Sequence, residues 1–458
     1  MRTFGDEYLA PFCESSTHLI AGDLKLKAMK GSMWTILGYG GSQGLRLVSN
    51  LILTRILFPE DFGVMALVTV VLQGITLFSD IGIGPSIIQS SRGNDVHFLN
   101  TAWTIQVARG FILFLVTCAL AWPLASFYNQ AVLAPLLSVS GLTAIISGFN
   151  PTKLWTANRE LSLGRITLVD FVSQGLGLAI LIPLAWWTQS IWALVIGGLI
   201  TALLKLAFAH WFVEGNGNKF HWEKSSVIDL FSFGRWIFIG TVASYLGGQG
   251  LRLFQGALVP ISTLGLVSIA SLLAWSMGQL TGALSSRVMF PVLSQVSRET
   301  PELFRTRFLS YKLRLVVLTQ PVFFTLIIFG SDIINMLYDE RYKDSGIYLS
   351  LLAWGGSMNA LRMLYSSAFL SLGRSRDHML IQVTGAVVRP LAIWFGYDMG
   401  EEVGMLLALS LSGLFIYPLE IFLSVRQGIY TPMLDVIVLG TGIIVASIVF
   451  NISIINFI

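Results

Sequence analysis

The sequence has little charge and almost no cysteine. Only 12% of its 458 residues are charged, where an average soluble domain has about 25%, and 54% are hydrophobic, with a mean hydropathy of +0.73. The two cysteines, Cys13 and Cys118, lie in a polar tail and an apolar block, so an intramolecular disulfide is not expected. The five histidines show no metal-ligand spacing. This composition excludes a soluble globular domain and offers no metal, cofactor or catalytic site.

Apolar blocks fill nearly the whole chain and leave only short polar gaps. Because a membrane-spanning helix needs about 20 apolar residues, the blocks predict an all-α integral membrane protein. Thirteen helices are expected, near 32–57, 62–89, 101–127, 132–155, 163–187, 190–213, 229–257, 262–290, 310–336, 345–371, 377–397, 403–424 and 434–457.

Lysine and arginine are concentrated in the N-terminal tail and in every second loop. The odd-numbered loops hold only Arg341 and Lys343 and are otherwise acidic, as in "FPED" at 58–61. Cytoplasmic loops accumulate cations, so the N-terminus is predicted to be cytoplasmic and the net charge of +4 does not indicate nucleic-acid binding. The eighth loop is the most basic, with Arg287, Arg298, Arg305, Arg307, Lys312 and Arg314.

A short sequence occurs twice. "SQGLRLVSN" at 42–50 and "GQGLRLFQG" at 248–256 belong to a wider match of 31–68 with 231–270. Six predicted helices separate the copies, so both begin on the same side of the membrane, as in parallel repeats with a substrate path between two halves. The expected organisation is an N-terminal cytoplasmic extension (1–30), a six-helix bundle (31–214), a cytoplasmic linker (215–228), a second bundle (229–425) and an additional helix (426–458).

A series of short motifs resembles a known family. They include "SDIGIGPSIIQS" (79–90), "LNTAWTIQVARG" (99–110), "ANRELSLGRITLVDFVSQ" (157–174), "SRVMFPVLSQV" (286–296) and "LYDERYKDSGIYLSLLA" (337–353). Over residues 25 to 430 the chain is similar to the oligosaccharide flippases of the polysaccharide transporter family, within the multidrug/oligosaccharidyl-lipid/polysaccharide (MOP) exporter superfamily. That family has twelve or fourteen helices, whereas thirteen are expected here.

The resemblance implies two pseudo-symmetric six-helix bundles around a central cavity in a bacterial inner membrane. It implies a transporter, not an enzyme, that moves a polyprenyl-diphosphate-linked oligosaccharide by alternating access for capsule, O-antigen or exopolysaccharide synthesis. Its expected partners are that glycan lipid, the bilayer, and polysaccharide polymerase and export machinery. Two alternatives remain open: a cation-coupled multidrug exporter of the same superfamily, and a membrane-embedded glycan polymerase or glycosyltransferase.

The repeat places one arginine in each half, Arg46 and Arg252. An arginine near the bilayer centre costs between about 2.5 and 17 kcal/mol and nearly always faces a bundle interior or an aqueous cavity. Guanidinium groups can bind phosphates through two parallel hydrogen bonds, so both residues are candidates for binding the diphosphate. The alternative is a structural role, bonded to helix carbonyls or extended towards a lipid headgroup.

Other charged residues in apolar blocks are weaker candidates. Arg362 and Arg389 lie deep enough to line the cavity and contact substrate. Asp80 and Asp170 are candidates for coupling a proton or Na⁺, although pairing with a nearby arginine is the commoner role of such a carboxylate. The remaining ions are expected to reach the nearer membrane face: Arg55, Arg109, Lys205 and Glu420.

Overall fold

The computed structural model describes residues 38, 40–79, 82–90, 92–160, 163–230, 245 and 247–442. Within these ranges the chain is helical and contains no β-strand. A helix satisfies its own backbone hydrogen bonds, which the hydrocarbon interior of a membrane cannot do. The predicted all-α membrane fold is therefore confirmed.

The first half of the chain runs from α1 to α9. These helices are α1 (40–56), α2 (Pro59–Phe78), α3 (Ile83–Gln89), α4 (Val96–Phe127), α5 (Leu133–Ser140), α6 (Leu142–Gly148), α7 (Lys153–Arg159), α8 (Leu163–Thr188) and α9 (Trp192–Phe212).

A linker, residues 213–230, joins the first half to the second and ends in α10 (224–230). It lies along α4, where the backbone N–H groups of Lys219 and Glu223 donate to Asn100 Oδ1 at 3.0 Å and Thr101 Oγ1 at 3.1 Å. The second half comprises α11 (Leu251–Leu258), α12 (Ile261–Leu284), α13 (Phe290–Glu299), α14 (Phe304–Ile328), α15 (Gly330–Leu337), α16 (Ser345–Ser371), α17 (Ser375–Arg426) and α18 (Pro432–Gly442).

Seven of the described helices are long and apolar enough to cross a membrane, and a bent pair formed by 133–148 and 153–159 makes an eighth. α17 has 52 residues because its backbone leaves helical geometry at Gly400 and Glu401 and then resumes. Gly396 and Gly404 pack against each other across this reversal. α17 therefore contains the two spans predicted at 377–397 and 403–424.

Two predicted spans of the first half are broken. The span predicted at 62–89 ends as α2 at Phe78 and restarts as α3 after Gly82, whose φ of 66° is a left-handed conformation that glycine adopts readily. The span predicted at 132–155 bends by 61° before α7. There Gln106 Nε2 donates to the carbonyl oxygens of Gly148 and Asn150, both at 3.0 Å, and so satisfies acceptors that the bend exposes.

The two halves are tightly packed at one end of the molecule. α2 crosses α12 with Gly63 against Gly265, and neither position has room for a Cβ atom. A buried cluster there combines residues of the first half, such as Leu67 and Leu136, with residues of the second, such as Leu264 and Tyr342. We call this end, with the connections 57–58, 259–260 and 338–344, the closed end.

The opposite end, which carries most of the loop cations, is called the basic end. Among the described residues, its buried clusters belong to the first half with the linker, to the first half alone, or to the second half alone. The buried contact between the halves is thus concentrated at the closed end. The halves are held together on one side of the membrane and packed separately on the other.

Candidate functional site

Arg46 and Arg252 lie within electrostatic range of each other although they belong to different halves. Arg46 is exposed in α1, and Arg252 is in the first turn of α11, within electrostatic range of Arg46. The guanidinium carbon of Arg252 lies 4.8 Å from the centre of the Trp275 ring in α12, a cation–π contact. The two arginines that the repeat singled out therefore share one site between the halves.

The residues immediately before α11 are not helical. Residues 247–250 form a turn in which Gly248 and Gly250 donate their N–H groups to the Tyr245 carbonyl at 3.1 and 2.8 Å. The carbonyl oxygen of Gly247 accepts a hydrogen bond from Arg389 Nη1 at 2.6 Å. Arg389 thus supports the helix break from α17.

A polar cavity of about 360 Å³ lies behind the break, inside the second half. Arg362 and Arg389 both line it, together with Glu420. Arg362 Nε donates to Glu420 Oε2 at 2.9 Å, and Glu420 is only 1% exposed. The expectation that Glu420 reaches the membrane face was wrong, because the carboxylate turns inward to pair with Arg362.

Two glutamines connect α1 to α12 beside the arginine pair. Gln43 Nε2 donates to Gln279 Oε1 at 2.9 Å. Gln43 and Arg46 are three residues apart, and Trp275 and Gln279 are four apart, so each pair lies on one helix face. The site between the halves therefore comprises Gln43, Arg46, Arg252, Trp275 and Gln279. The sequence did not single out Trp275 or Gln279 of α12. Their spacing of four residues, which places them on one helix face, was the only signal for them.

The two acidic candidates have different outcomes. Asp80 lies outside the described residues. Asp170 Oδ1 is 2.7 Å from Lys205 Nζ, and both side chains are partly exposed in a second cavity within the first half. Asp170 is thus paired, with a lysine of the same half.

The fold is that of the MOP superfamily of transporters. The chain superposes on the lipid II flippase MurJ in an inward closed conformation with a TM-score of 0.71 at 13% identity, covering 94% of this chain and 99% of MurJ. It also superposes on an inward-facing multidrug resistance MATE transporter with a TM-score of 0.68 at 14% identity, covering 84% and 94% of the two chains. Both have two six-helix bundles, as predicted here.

Sequence comparison then defines the family. Residues 52–346 match the polysaccharide biosynthesis protein family, so the chain belongs to that family. It is 23% identical over 407 residues to an uncharacterized membrane protein in the cps region of Klebsiella pneumoniae, covering 86% of this chain and 82% of that protein. It is 21% identical over 406 residues to the lipopolysaccharide biosynthesis protein WzxC of Escherichia coli strain K12, covering 88% and 82%. The resemblance stated from the motifs is confirmed, and the chain is a multi-pass membrane protein.

Proposed function

We propose that this chain is a flippase that moves a polyprenyl-diphosphate-linked oligosaccharide across the bacterial inner membrane by alternating access, for capsule, O-antigen or exopolysaccharide synthesis. The observation that carries this proposal is the Arg46–Arg252 pair between two halves that are joined at one end. The names of the relatives, and the fold shared with a lipid II flippase, support the same cargo.

The chemistry of the pair favours an anionic headgroup. Two guanidinium groups within electrostatic range repel each other, and the repulsion is stronger where water is scarce. A diphosphate between them replaces this repulsion with charge-assisted hydrogen bonds to both halves. A ligand that contacts both halves binds differently as they move, which is what alternating access requires.

Arg362 and Arg389 are also assigned to the proposed site, in an indirect role. Both line the cavity behind the 247–250 break and add positive charge there. Arg389 also fixes the break from which Arg252 projects. We assign ion coupling to Asp80 and Asp170, whose loss should alter the dependence of transport on a proton or Na⁺ gradient.

Orientation and partners complete the proposal. The basic end and the N-terminus face the cytoplasm, where lipid-linked glycans are made, and the moved glycan passes to polymerase and export machinery outside. A cysteine at the exposed position Ser375, the first residue of α17 at the basic end, should be shielded from an impermeant thiol reagent in intact cells. Rapid labelling there would reverse the orientation.

Substitution of the two arginines tests the proposal. Arg46→Ala or Arg252→Ala removes charge-assisted hydrogen bonds worth about 1.5–3 kcal/mol, equivalent to roughly 10- to 100-fold in affinity. Transport of the lipid-linked glycan should fall strongly while the protein still accumulates in the membrane. Arg→Lys should restore it only partly, because an ammonium lacks the bidentate geometry.

The matched control is Arg298→Ala, at an exposed arginine of α13, which should transport normally. If both site variants accumulate and transport at the wild-type rate, the arginine site is wrong. A multidrug exporter would show a different result: lost drug efflux on removal of cavity carboxylates, with no effect on lipid-linked glycan.

A further inference from the structure

A further cavity lies within the first half, and no residue of the site between the halves lines it. Its volume is about 840 Å³, within the range of about 300–1,000 Å³ typical of ligand sites. Helices α2, α4, α6, α7 and α8 all contribute to its wall. It extends from the C-terminal part of α2 to α7, near the basic end.

The cavity wall is rich in uncharged polar side chains. Gln106, Thr143, Ser147, Asn150 and Asn158 all line it. Amides and hydroxyls both donate and accept hydrogen bonds, as sugar hydroxyls do. The wall therefore matches a ligand that carries many hydroxyl groups.

One of these groups has an unused acceptor. Asn150 Oδ1 is buried and accepts no hydrogen bond from the described part of the chain. A buried polar atom without a partner costs about 1–3 kcal/mol and calls for an explanation. Asn150 lies at the bend before α7, and Gln106 Nε2 donates to its carbonyl oxygen. The backbone of Asn150 is therefore held in place before any ligand binds.

An aromatic ring lies against the same wall. Trp155 lines the cavity and is partly exposed. Its ring packs on the backbone of Gly84, where a Cβ atom would lie only 2.7 Å from ring carbons. Trp155 thus offers an indole ring, an apolar surface with a single N–H donor. The C–H face of a sugar ring packs readily on such a surface.

The charged groups of the cavity already have partners. Asp170 pairs with Lys205, and Arg109 donates to the Thr76 carbonyl at 2.6 Å and to Ser79 Oγ at 2.9 Å. These groups are less available for a diphosphate than the mutually repelling arginines between the halves. The two halves also meet beside the residues that precede α11, because Tyr245 Oη donates to the Val70 carbonyl of α2 at 2.8 Å.

We propose that this first-half cavity binds the glycan of the lipid-linked substrate, through Asn150, Asn158 and Trp155, while Arg46 and Arg252 hold the diphosphate. The inference rests on the proposed function, since it divides one substrate between two subsites. Headgroup charge and glycan identity are then recognised by different residues, and the glycan subsite opens towards the basic end.

A comparison of two lipids tests this division. Purified full-length protein would be titrated with undecaprenyl diphosphate and with the lipid-linked oligosaccharide extracted from cells lacking this chain. The wild type should bind the glycan-bearing lipid more tightly. Asn158→Ala and, independently, Asn150→Ala should each weaken only that lipid, by about 3- to 10-fold. Asn335→Ala, at an exposed asparagine of α15, should change neither affinity.

Arg46→Ala separates the two proposals, because it should weaken both lipids by the same factor. If the wild type binds the two lipids equally, or if Asn158→Ala and Asn150→Ala leave the affinity ratio unchanged, the glycan subsite is refuted. If Arg46→Ala changes neither affinity, the headgroup site fails instead. Because Asn158 is outside the α6–α7 bend, its variant remains informative should Asn150→Ala fail to fold.

Discussion

At the scale of single residues, buried charges in this protein are paired across long sequence separations. Lys312 is fully buried in α14, where its Nζ contacts Asp435 of α18 and lies 2.8 Å from both Tyr365 Oη and Thr431 Oγ1. Its assignment to a basic loop was therefore wrong. The ammonium is retained inside because an anion and two hydroxyls replace its water.

Removing one partner of this pair should be costly. Lys312→Met leaves Asp435 buried without its cation, which should lower the free energy of unfolding by about 3–5 kcal/mol. Denaturant unfolding of the detergent-purified protein measures this. Lys312→Met combined with Asp435→Leu should recover most of the loss, since no uncompensated charge remains. Lys343→Met, at an exposed lysine, is the control. Equal stability of the single and double variants would contradict a paired role.

Sequence alone placed some of these residues and not others. The repeated "QGLRL" assigned Arg46 and Arg252 matching positions in two halves, and the structure brings them within electrostatic range of each other. Glu420 and Lys312 were misplaced because their partners, Arg362 and Asp435, are 58 and 123 residues away and no local pattern connects them. A charged residue near the end of an apolar block has the same sequence pattern whether its side chain faces lipid headgroups or a buried partner.

At the scale of elements, the loop between α15 and α16 locks the closed end. Arg341 Nη2 donates to the carbonyls of Thr54 and Arg55 at 3.0 and 3.2 Å, acceptors at the C-terminus of α1 that the helix itself cannot satisfy. Asp339 holds the same guanidinium from the other side. Tyr342 Oη donates to the Leu57 carbonyl at 2.9 Å. One loop of the second half thus caps a helix of the first.

Breaking this cap should expose the end of α1. With Cys13 and Cys118 replaced by serine, a cysteine at the fully buried position Leu57 should react slowly with maleimide. Arg341→Ala removes charge-assisted bonds, so the labelling rate should rise by about 10-fold or more. Lys343→Ala, an exposed cation of the same loop, should leave the rate unchanged. Equal rates in all three proteins would show that the loop does not hold the closed end.

The lock should also be insensitive to mild acid. Hydrogen bonds from Arg341 hold the pKa of Asp339 below its usual range. A carboxylate whose pKa is lowered stabilises the structure above its unfolded pKa of about 3.9 and loses that contribution only as the pH falls through the lowered value. The Leu57→Cys labelling rate, divided by that of a cysteine at the exposed position Glu60, should therefore be the same at about pH 6 and pH 8.

Element boundaries were predictable where apolar length and caps agree. The helix expected at 345–371 is α16, Ser345–Ser371, and the reversal between the spans of α17 falls in the acidic "DMGEE" loop. The breaks at Gly82 and before α7 were not predicted. Both breaks lie inside continuous apolar blocks. Hydropathy indicates the length of such a block, but it does not indicate which side chain, such as Gln106, donates hydrogen bonds to the carbonyl oxygens of a broken helix.

At the scale of the whole molecule, the described parts of the two halves are packed together at the closed end. The Gly63–Gly265 crossing and the loop cap hold the halves together there, while the buried clusters at the basic end stay separate. Moving a substrate through requires this closed end to part. In the proposed mechanism the arginine pair holds one anion between the two halves, and substrate binding is thereby coupled to their motion.

Flipping by the purified chain would show whether it moves a lipid-linked oligosaccharide without any other protein. Proteoliposomes would contain fluorescent undecaprenyl-diphosphate-linked oligosaccharide in both leaflets, and an impermeant quencher would be added outside. Liposomes with the wild-type chain should lose fluorescence beyond the outer-leaflet fraction as inner-leaflet lipid is moved out, and liposomes with Arg46→Ala and Arg252→Ala combined should lose only the outer-leaflet fraction. If wild-type and protein-free liposomes lose the same fraction, the chain does not flip this lipid and the account is contradicted.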